Sequence, residues 1–98
     1  MATYVTLFTW TDQGIRNVKD TTKRAAQFHQ SIKKAGGKVR DVYWTMGTYD
    51  GILLFDAPDD ETATSIMVAG CSRGNVRTVT MRAFNADTMN KILAKARK

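Results

Sequence analysis

Val42-Tyr43-Trp44-Thr45-Met46-Gly47-Thr48-Tyr49-Asp50-Gly51-Ile52-Leu53-Leu54-Phe55-Asp56 reads as two β-runs around a turn. Apolar runs on both sides of a glycine-bounded, Asp-Gly-containing turn, here Gly47 to Gly51, are the strongest short-range hairpin signal. Ile52 to Ala57 is nearly continuous in apolar residues, which predicts an interior strand buried on both faces. Strict alternation across Lys38 to Thr45 sets Val42, Trp44 and Met46 on one side, with Val39, Asp41, Tyr43 and Thr45 on the other.

Upstream of the hairpin, Gly36-Gly37 ends a helix predicted over 22–35, because glycine takes the left-handed C-terminal position without a Cβ penalty. Ala25, Phe28, Ile32 and Ala35 form its apolar stripe, Asp20 or Thr21 its cap, and Lys23, Arg24, Gln27, Gln30 and Lys34 its polar remainder. Further upstream, 2–9 alternates as a strand. Thr11-Asp12 then caps a helical turn over 13–18. Val5 and Leu7 are small and aliphatic, so their side is expected to meet the helices, leaving Tyr4, Thr6 and Phe8 on the outer face.

Downstream, Pro58-Asp59-Asp60-Glu61 starts a helix, since proline suits the first turn and acids complement the positive end of the macrodipole. Its stripe is Ala63, Ile66, Met67, Gly70 and Cys71, and Gly74 stops it. A strand over 75–84 follows, and Asn85-Ala86-Asp87 caps a last helix with Met89, Ile92 and Leu93 as its apolar positions. The class is therefore α+β, a ferredoxin-like βαββαβ order with a C-terminal helix and a four-stranded antiparallel sheet carrying two helices on one face. An outer sheet face bearing Tyr4 and Phe8 needs a cover, and a symmetric copy is the simplest one.

A chain of 98 residues predicts one domain, 1–98, with a basic tail at about 90–98. Its 43% hydrophobic and 24% charged residues are ordinary for a globular protein. No apolar run approaches a membrane span, and the N-terminal residues lack the basic region of a signal peptide. The lone cysteine, Cys71, excludes a disulfide framework and makes a reducing, cytoplasmic setting the expectation. The net charge of +6 reads first as a solubilising helix face plus a basic tail, and only second as a surface for an anionic partner.

Trp10-Thr11-Asp12-Gln13-Gly14, Tyr43-Trp44-Thr45, Gly47-Thr48-Tyr49-Asp50-Gly51, Ala57-Pro58-Asp59-Asp60 and Gly74-Asn75-Val76-Arg77-Thr78 together resemble the GYD-domain family. The resemblance spans Tyr4 to about Asp87 and implies a ferredoxin-like fold of the dimeric α/β-barrel type. It implies no established activity. The family's Gly-Tyr-Asp motif has Thr48 in place of the glycine, which argues against a left-handed backbone at that position.

The candidate ligand-binding residues are Trp10, Asp12, Tyr43, Trp44, Tyr49, Asp50 and His29. Trp10 and Asp12 read either as a polar pocket mouth or, more plainly, as an anchoring aromatic beside a helix cap. Tyr43, Trp44, Tyr49 and Asp50 read as an aromatic cage for a planar or cationic ligand, or as core and interface aromatics around a turn that Asp50 orders through its own backbone. His29 lacks a Cys, His or acidic neighbour at ligand spacing, so it reads as a helix-surface residue rather than a metal ligand or general base. Cys71 reads as helix packing, although Arg73 nearby favours a thiolate. Arg77 and Arg82, with Tyr4 and Phe8, resemble an RNA-recognition sheet, but the third strand, Asp50-Gly51-Ile52-Leu53-Leu54-Phe55, has aliphatics where that module needs stacking aromatics.

No metal spacing, phosphate loop or cofactor motif occurs, so no metal and no cofactor are expected. The expected function is a small cytoplasmic homo-oligomeric module, a homodimer or higher, that binds a small molecule or a partner protein. One alternative, implied by fold analogy, is a cofactor-independent enzyme of monooxygenase or isomerase type using Tyr49, Asp50, Trp10 or His29. The other is a nucleic-acid binder driven by the basic helix and tail, which the aliphatic third strand disfavours. No membrane partner is expected.

Overall fold

The computed structural model describes residues 1–97. The element order is β1 (Ala2–Trp10), α1 (Asp12–Arg16), a 3-10 turn (Val18–Asp20), α2 (Thr21–Lys34), β2 (Lys38–Trp44), β3 (Gly51–Ala57), α3 (Asp60–Cys71), β4 (Val76–Ala83) and α4 (Ala86–Ala96). The four strands form one antiparallel sheet in the order β2-β3-β1-β4. This is the ferredoxin-like arrangement that the order of sequence signals predicts. Of the basic tail expected at 90–98, residues through Ala96 belong to α4, and Lys98 lies outside the described residues.

The helix boundaries have local causes. Thr11 accepts from the Gly14 amide, Asp59 from the Thr62 amide and Asn85 from the Thr88 amide, so α1, α3 and α4 each begin on a side-chain cap. Asp20 precedes α2 but its side chain makes no capping bond. At the other end of α2, Gly36 adopts φ 86°, and the Gly36 and Gly37 amides donate to the carbonyls of Lys33 and Ile32. That pairing is a Schellman motif, which satisfies carbonyls the helix leaves open.

The sheet faces are the reverse of the expectation for β1. Tyr4 and Thr6 point into the core and are almost fully buried, whereas Val5 and Leu7 lie on the outer face. The physical reason is volume together with polar satisfaction. The Tyr4 ring stacks on Phe55 with centroids 5.3 Å apart, and its hydroxyl donates to Asp60 at the start of α3. The Thr6 hydroxyl pairs with that of Thr80 at 2.8 Å. The larger side chains thus fill the space beneath the helices while their polar tips keep partners. Phe55, Ile32, Leu53, Ala63, Ile66 and Met67 complete this core.

Two further details differ from simple alternation. The β2–β3 register shifts between Val39 and Asp41, so Val39 opposes Phe55 while Val42 opposes Leu53. A bulge at Arg40 therefore returns both valines to the core face. Arg40 lies at the bulge, and its Nε donates to both Asp56 carboxylate oxygens at 3.0 and 2.9 Å. Those bonds, joined by one from Thr3, hold the Asp56 carboxyl below its usual pKa even though it is buried. β3, in turn, is not buried evenly on both faces: Leu53, Phe55 and Ala57 are buried towards the helices, while on the outer face Ile52 and Leu54 are half-buried and Asp56 is buried.

Candidate functional site

The Trp10-to-Gly14 and Gly74-to-Thr78 segments, far apart in sequence, dock on each other. The Thr11 amide donates to the Asn75 carbonyl at 3.1 Å, and its hydroxyl donates to the Gly74 carbonyl. Gln13 Nε2 donates to the Arg73 carbonyl at 2.9 Å and to Asn75 Oδ1 at 3.0 Å. A Cβ on Gly14 would collide with the Asn75 carbonyl oxygen, so only glycine permits this approach. The hairpin turn is tied to the same end of the sheet. The Asp50 amide donates to the Phe8 carbonyl at 2.8 Å, and Asp50 Oδ2 accepts from the Trp10 amide at 2.8 Å. The Asp50 side chain therefore clamps β1 and does not bond its own turn, which corrects the local reading of that side chain, while its carbonyl accepts from the Thr45 amide at 2.9 Å across the turn. The positive φ in the turn falls on Gly47, and among the described residues none other than glycine has one, so Thr48 is not left-handed.

Beneath this sheet end is a partly open cavity of about 50 Å³ between the sheet and α2. The sheet supplies Thr6, Phe8, Val42, Trp44, Leu53, Val76 and Thr78. The helices supply Thr21, Arg24, Ala25 and Phe28 from α2 and Met67 from α3. Trp44 Nε1 donates to Thr21 Oγ1 at 3.0 Å, pinning the indole against the first turn of α2. Arg24 reaches across to α1, where Nη1 donates to the Asn17 carbonyl at 2.7 Å and Nη2 to the Gly14 carbonyl at 3.4 Å. Phe8 sits over Gly51, where an added Cβ would run into the ring, so that glycine sets how deeply Phe8 seats.

Of the residues singled out in the sequence, Trp44 lines the cavity, and Trp10 and Asp50 gather at the same end of the sheet through their backbone-to-carboxylate bond. Trp10 is half-buried, and its indole N–H is buried without an acceptor. Tyr43 follows the pleat to the opposite face, where it is 57% exposed, so Tyr43 and Trp44 do not form one cage. Tyr49 belongs to the turn and its carbonyl accepts from the Thr45 hydroxyl. Asp12 is exposed in the first turn of α1, and His29 is exposed on α2 outside the cavity wall. Cys71 is half-buried beside Thr78, with its Sγ 3.3 Å from that hydroxyl.

Sequence reasoning missed Arg24 and the threonines. Arg24 sits next to Ala25 and one turn before Phe28, on the shoulder of the apolar stripe, and that position was its one available signal. Chemically, the cavity presents almost wholly apolar walls, with Arg24 and the threonines contributing to its border, which suits a small apolar group. Among the described residues, no group of three or more His, Cys, Asp or Glu is placed to hold a metal ion.

The outer sheet face is the second notable surface. Val5, Leu7, Ile52, Leu54, Val79 and Met81 share it, and Val79 and Met81 are 49% and 45% exposed. Among the described residues, no helix is long and apolar enough to cross a membrane.

The model of the family described as GYD domain matches residues 4–93. A Thermus thermophilus protein named glutamine synthetase and cystathionine beta-lyase binding protein is 31% identical over 85 residues, covering 86% of this chain and 90% of that protein. A crystal structure of a Thermus thermophilus protein is similar with a TM-score of 0.56 and 26% identity, over 88% of this chain and 96% of that one. An M. tuberculosis feast or famine regulatory protein shares the fold with a TM-score of 0.66 at 16% identity, over 88% of this chain and 52% of that one.

Proposed function

The chain belongs to the GYD-domain family, and on that premise we propose that it is a homo-oligomeric binding module, at least a dimer, for a small ligand or a partner protein. The observation that carries the assembly is the outer sheet face. Six apolar side chains, Val5, Leu7, Ile52, Leu54, Val79 and Met81, share it, the first four half-buried and Val79 and Met81 exposed. A contiguous apolar sheet face in water is stabilised by a cover, and a second copy packed face to face about a twofold supplies one of the same size and shape.

α4 adds to this reading. Its apolar residues Met89 and Leu93 are 43% and 48% exposed, and the helix makes no extensive packing against any other element. A helix with an unpartnered apolar stripe gains by docking on another chain. The Thermus thermophilus relative is named for binding two enzymes, which supports a protein as the partner here.

Sedimentation velocity at tens of micromolar tests the assembly. The wild-type chain is expected to sediment as a dimer or higher. Met81→Lys, which puts a charge on the apolar face at the edge strand β4 beside Val5, is expected to give monomer with an unchanged far-UV circular dichroism spectrum. A monomeric wild-type chain contradicts the proposal.

A further inference from the structure

α2 carries Lys23, Arg24, Lys33 and Lys34 and no acid, and the first acid after Asp20 is Asp41. Among the described residues the ion pairs are Arg40 with Asp56 and Arg82 with Asp60, so none of the α2 cations is in one. Two shallow polar troughs run along the exposed side of this helix. One has Gln30, Lys34 and Arg73 in its lining, and the other has Gln13, Asn75 and Lys23. Gln27 lines both, so the two join into one groove. Lys23, Gln27, Gln30 and Lys34 follow at spacings of four, three and four, which sets them along one exposed face of α2. From the first to the last of them that face is about 16 Å long. All three glutamines of the chain, Gln13, Gln27 and Gln30, stand in this groove. Arg73 Nη1 donates to Gln27 Oε1 at 2.9 Å, which holds the guanidinium beside the groove and leaves the Gln27 amide nitrogen to donate. Asp20, at one end, is the single acid in the lining.

We infer that this groove binds an extended acidic segment of a partner protein, its carboxylates received by Lys23, Lys34 and Arg73 and its backbone by Gln27 and Gln30. The length of the face matches about five residues of extended chain. Cations alone would serve any polyanion, and the interleaved glutamines decide between them. An amide side chain both donates and accepts, which suits the alternating N–H and C=O groups of a peptide, whereas a phosphodiester backbone offers acceptors only. The net charge of +6 adds long-range attraction for an acidic partner. A second copy's α4 is a poor occupant, because Lys91 and Lys95 outnumber Asp87 on it and would meet like charge. α2 lies with α3 on the core side of the sheet, opposite the apolar outer face, so a face-to-face dimer leaves the groove open. The inference rests on the partner-protein half of the function proposed above and is independent of the sheet-face assembly.

Fluorescence anisotropy of labelled pentaglutamate tests this on the full chain, with pentaglutamine as its neutral isostere and hexathymidylate as a phosphate chain of equal charge. At low salt, where exposed charges are least screened, pentaglutamate is expected to bind saturably with a Kd below about 1 mM. Pentaglutamine and hexathymidylate are each expected to bind at least about 10-fold more weakly. The double variant Lys23→Gln with Lys34→Gln is expected to lose about 10-fold in pentaglutamate affinity, as two exposed ion pairs warrant. Gln30→Ala is expected to lose about 3-fold, as one hydrogen bond warrants. Lys91→Gln, which removes charge from α4 instead, is expected to change affinity by less than about 2-fold. Absence of saturable pentaglutamate binding overturns the inference, as does undiminished affinity in the groove variants. A loss in Lys91→Gln as large as that in the groove double variant overturns it too, since general attraction to a basic chain would then account for the binding. Hexathymidylate binding as tightly as pentaglutamate overturns the peptide assignment in favour of a nucleic acid. Met81→Lys separates the two proposals, because it is expected to bind pentaglutamate like wild type. A dimeric wild-type chain that ignores pentaglutamate overturns the groove claim alone, and a monomeric one that binds it overturns the assembly claim alone.

Discussion

The Tyr4 ring lies against Phe55 and its hydroxyl donates to Asp60, so burial first, and the carboxylate second, push its pKa from 10.0 up to about 12. The folded state therefore favours the neutral phenol more than the unfolded chain does. That contribution is fully present below pH 10 and is lost as pH rises from about 10 towards about 12. Thermal melts across this window are expected to show the wild-type Tm falling more steeply than that of Tyr4→Phe. At neutral pH the variant is expected to cost about 1 kcal/mol, the value of one hydrogen bond to a partly exposed partner. Parallel curves through the alkaline window would show that Tyr4 is not held neutral. Nothing in the alternation of β1 shows that Tyr4 is buried, because alternation separates two faces without saying which one the helices cover. Asp50 was legible as a turn residue, but its bond to the Trp10 amide joins positions 40 residues apart and has no local signature.

Elements were legible wherever their ends carry chemistry. The glycines at Gly36 and Gly74, the caps at Thr11, Asp59 and Asn85, and the Asp-Gly of the hairpin are all local devices, and the elements start or stop at or beside them. The β2 bulge at Arg40 was not legible. A single inserted residue leaves the apolar pattern looking like a strand, and only the β3 partner reveals the shift. How α1 meets the loop before β4 gives the element-scale prediction. Gly14→Ala would drive a Cβ into the Asn75 carbonyl oxygen, an atom of backbone that cannot turn aside. The expected loss is about 1–3 kcal/mol, in the range of overpacking, read as a lowered urea midpoint with loss of hydrogen-exchange protection at the Thr11 amide. An unchanged midpoint would mean that the α1 contact is looser than the geometry requires.

At the scale of the whole molecule, the chain is longer than its core. Its radius of gyration is 14.8 Å with extents of 52 × 31 × 19 Å, against about 13 Å for a compact chain of this length. α4 makes no extensive packing with the other elements, which fits this elongation. Removing it after Asn85 in the Met81→Lys background is expected to change stability by less than ~1 kcal/mol, as for other surface features. In the wild-type chain the same truncation is expected to weaken self-association. A large stability loss in the monomer would place α4 in the core. The sequence by itself determined the element order, the caps, the antiparallel ferredoxin-like sheet and the family, because each rests on local chemistry or on motifs readable in one dimension. Only the tertiary structure decided which sheet face meets the helices, that Val39 and Val42 share a side, and that Arg24, Thr21 and Trp44 surround one cavity. Those outcomes depend on volumes and hydrogen-bond partners brought together across the sheet, and no spacing along the chain encodes them.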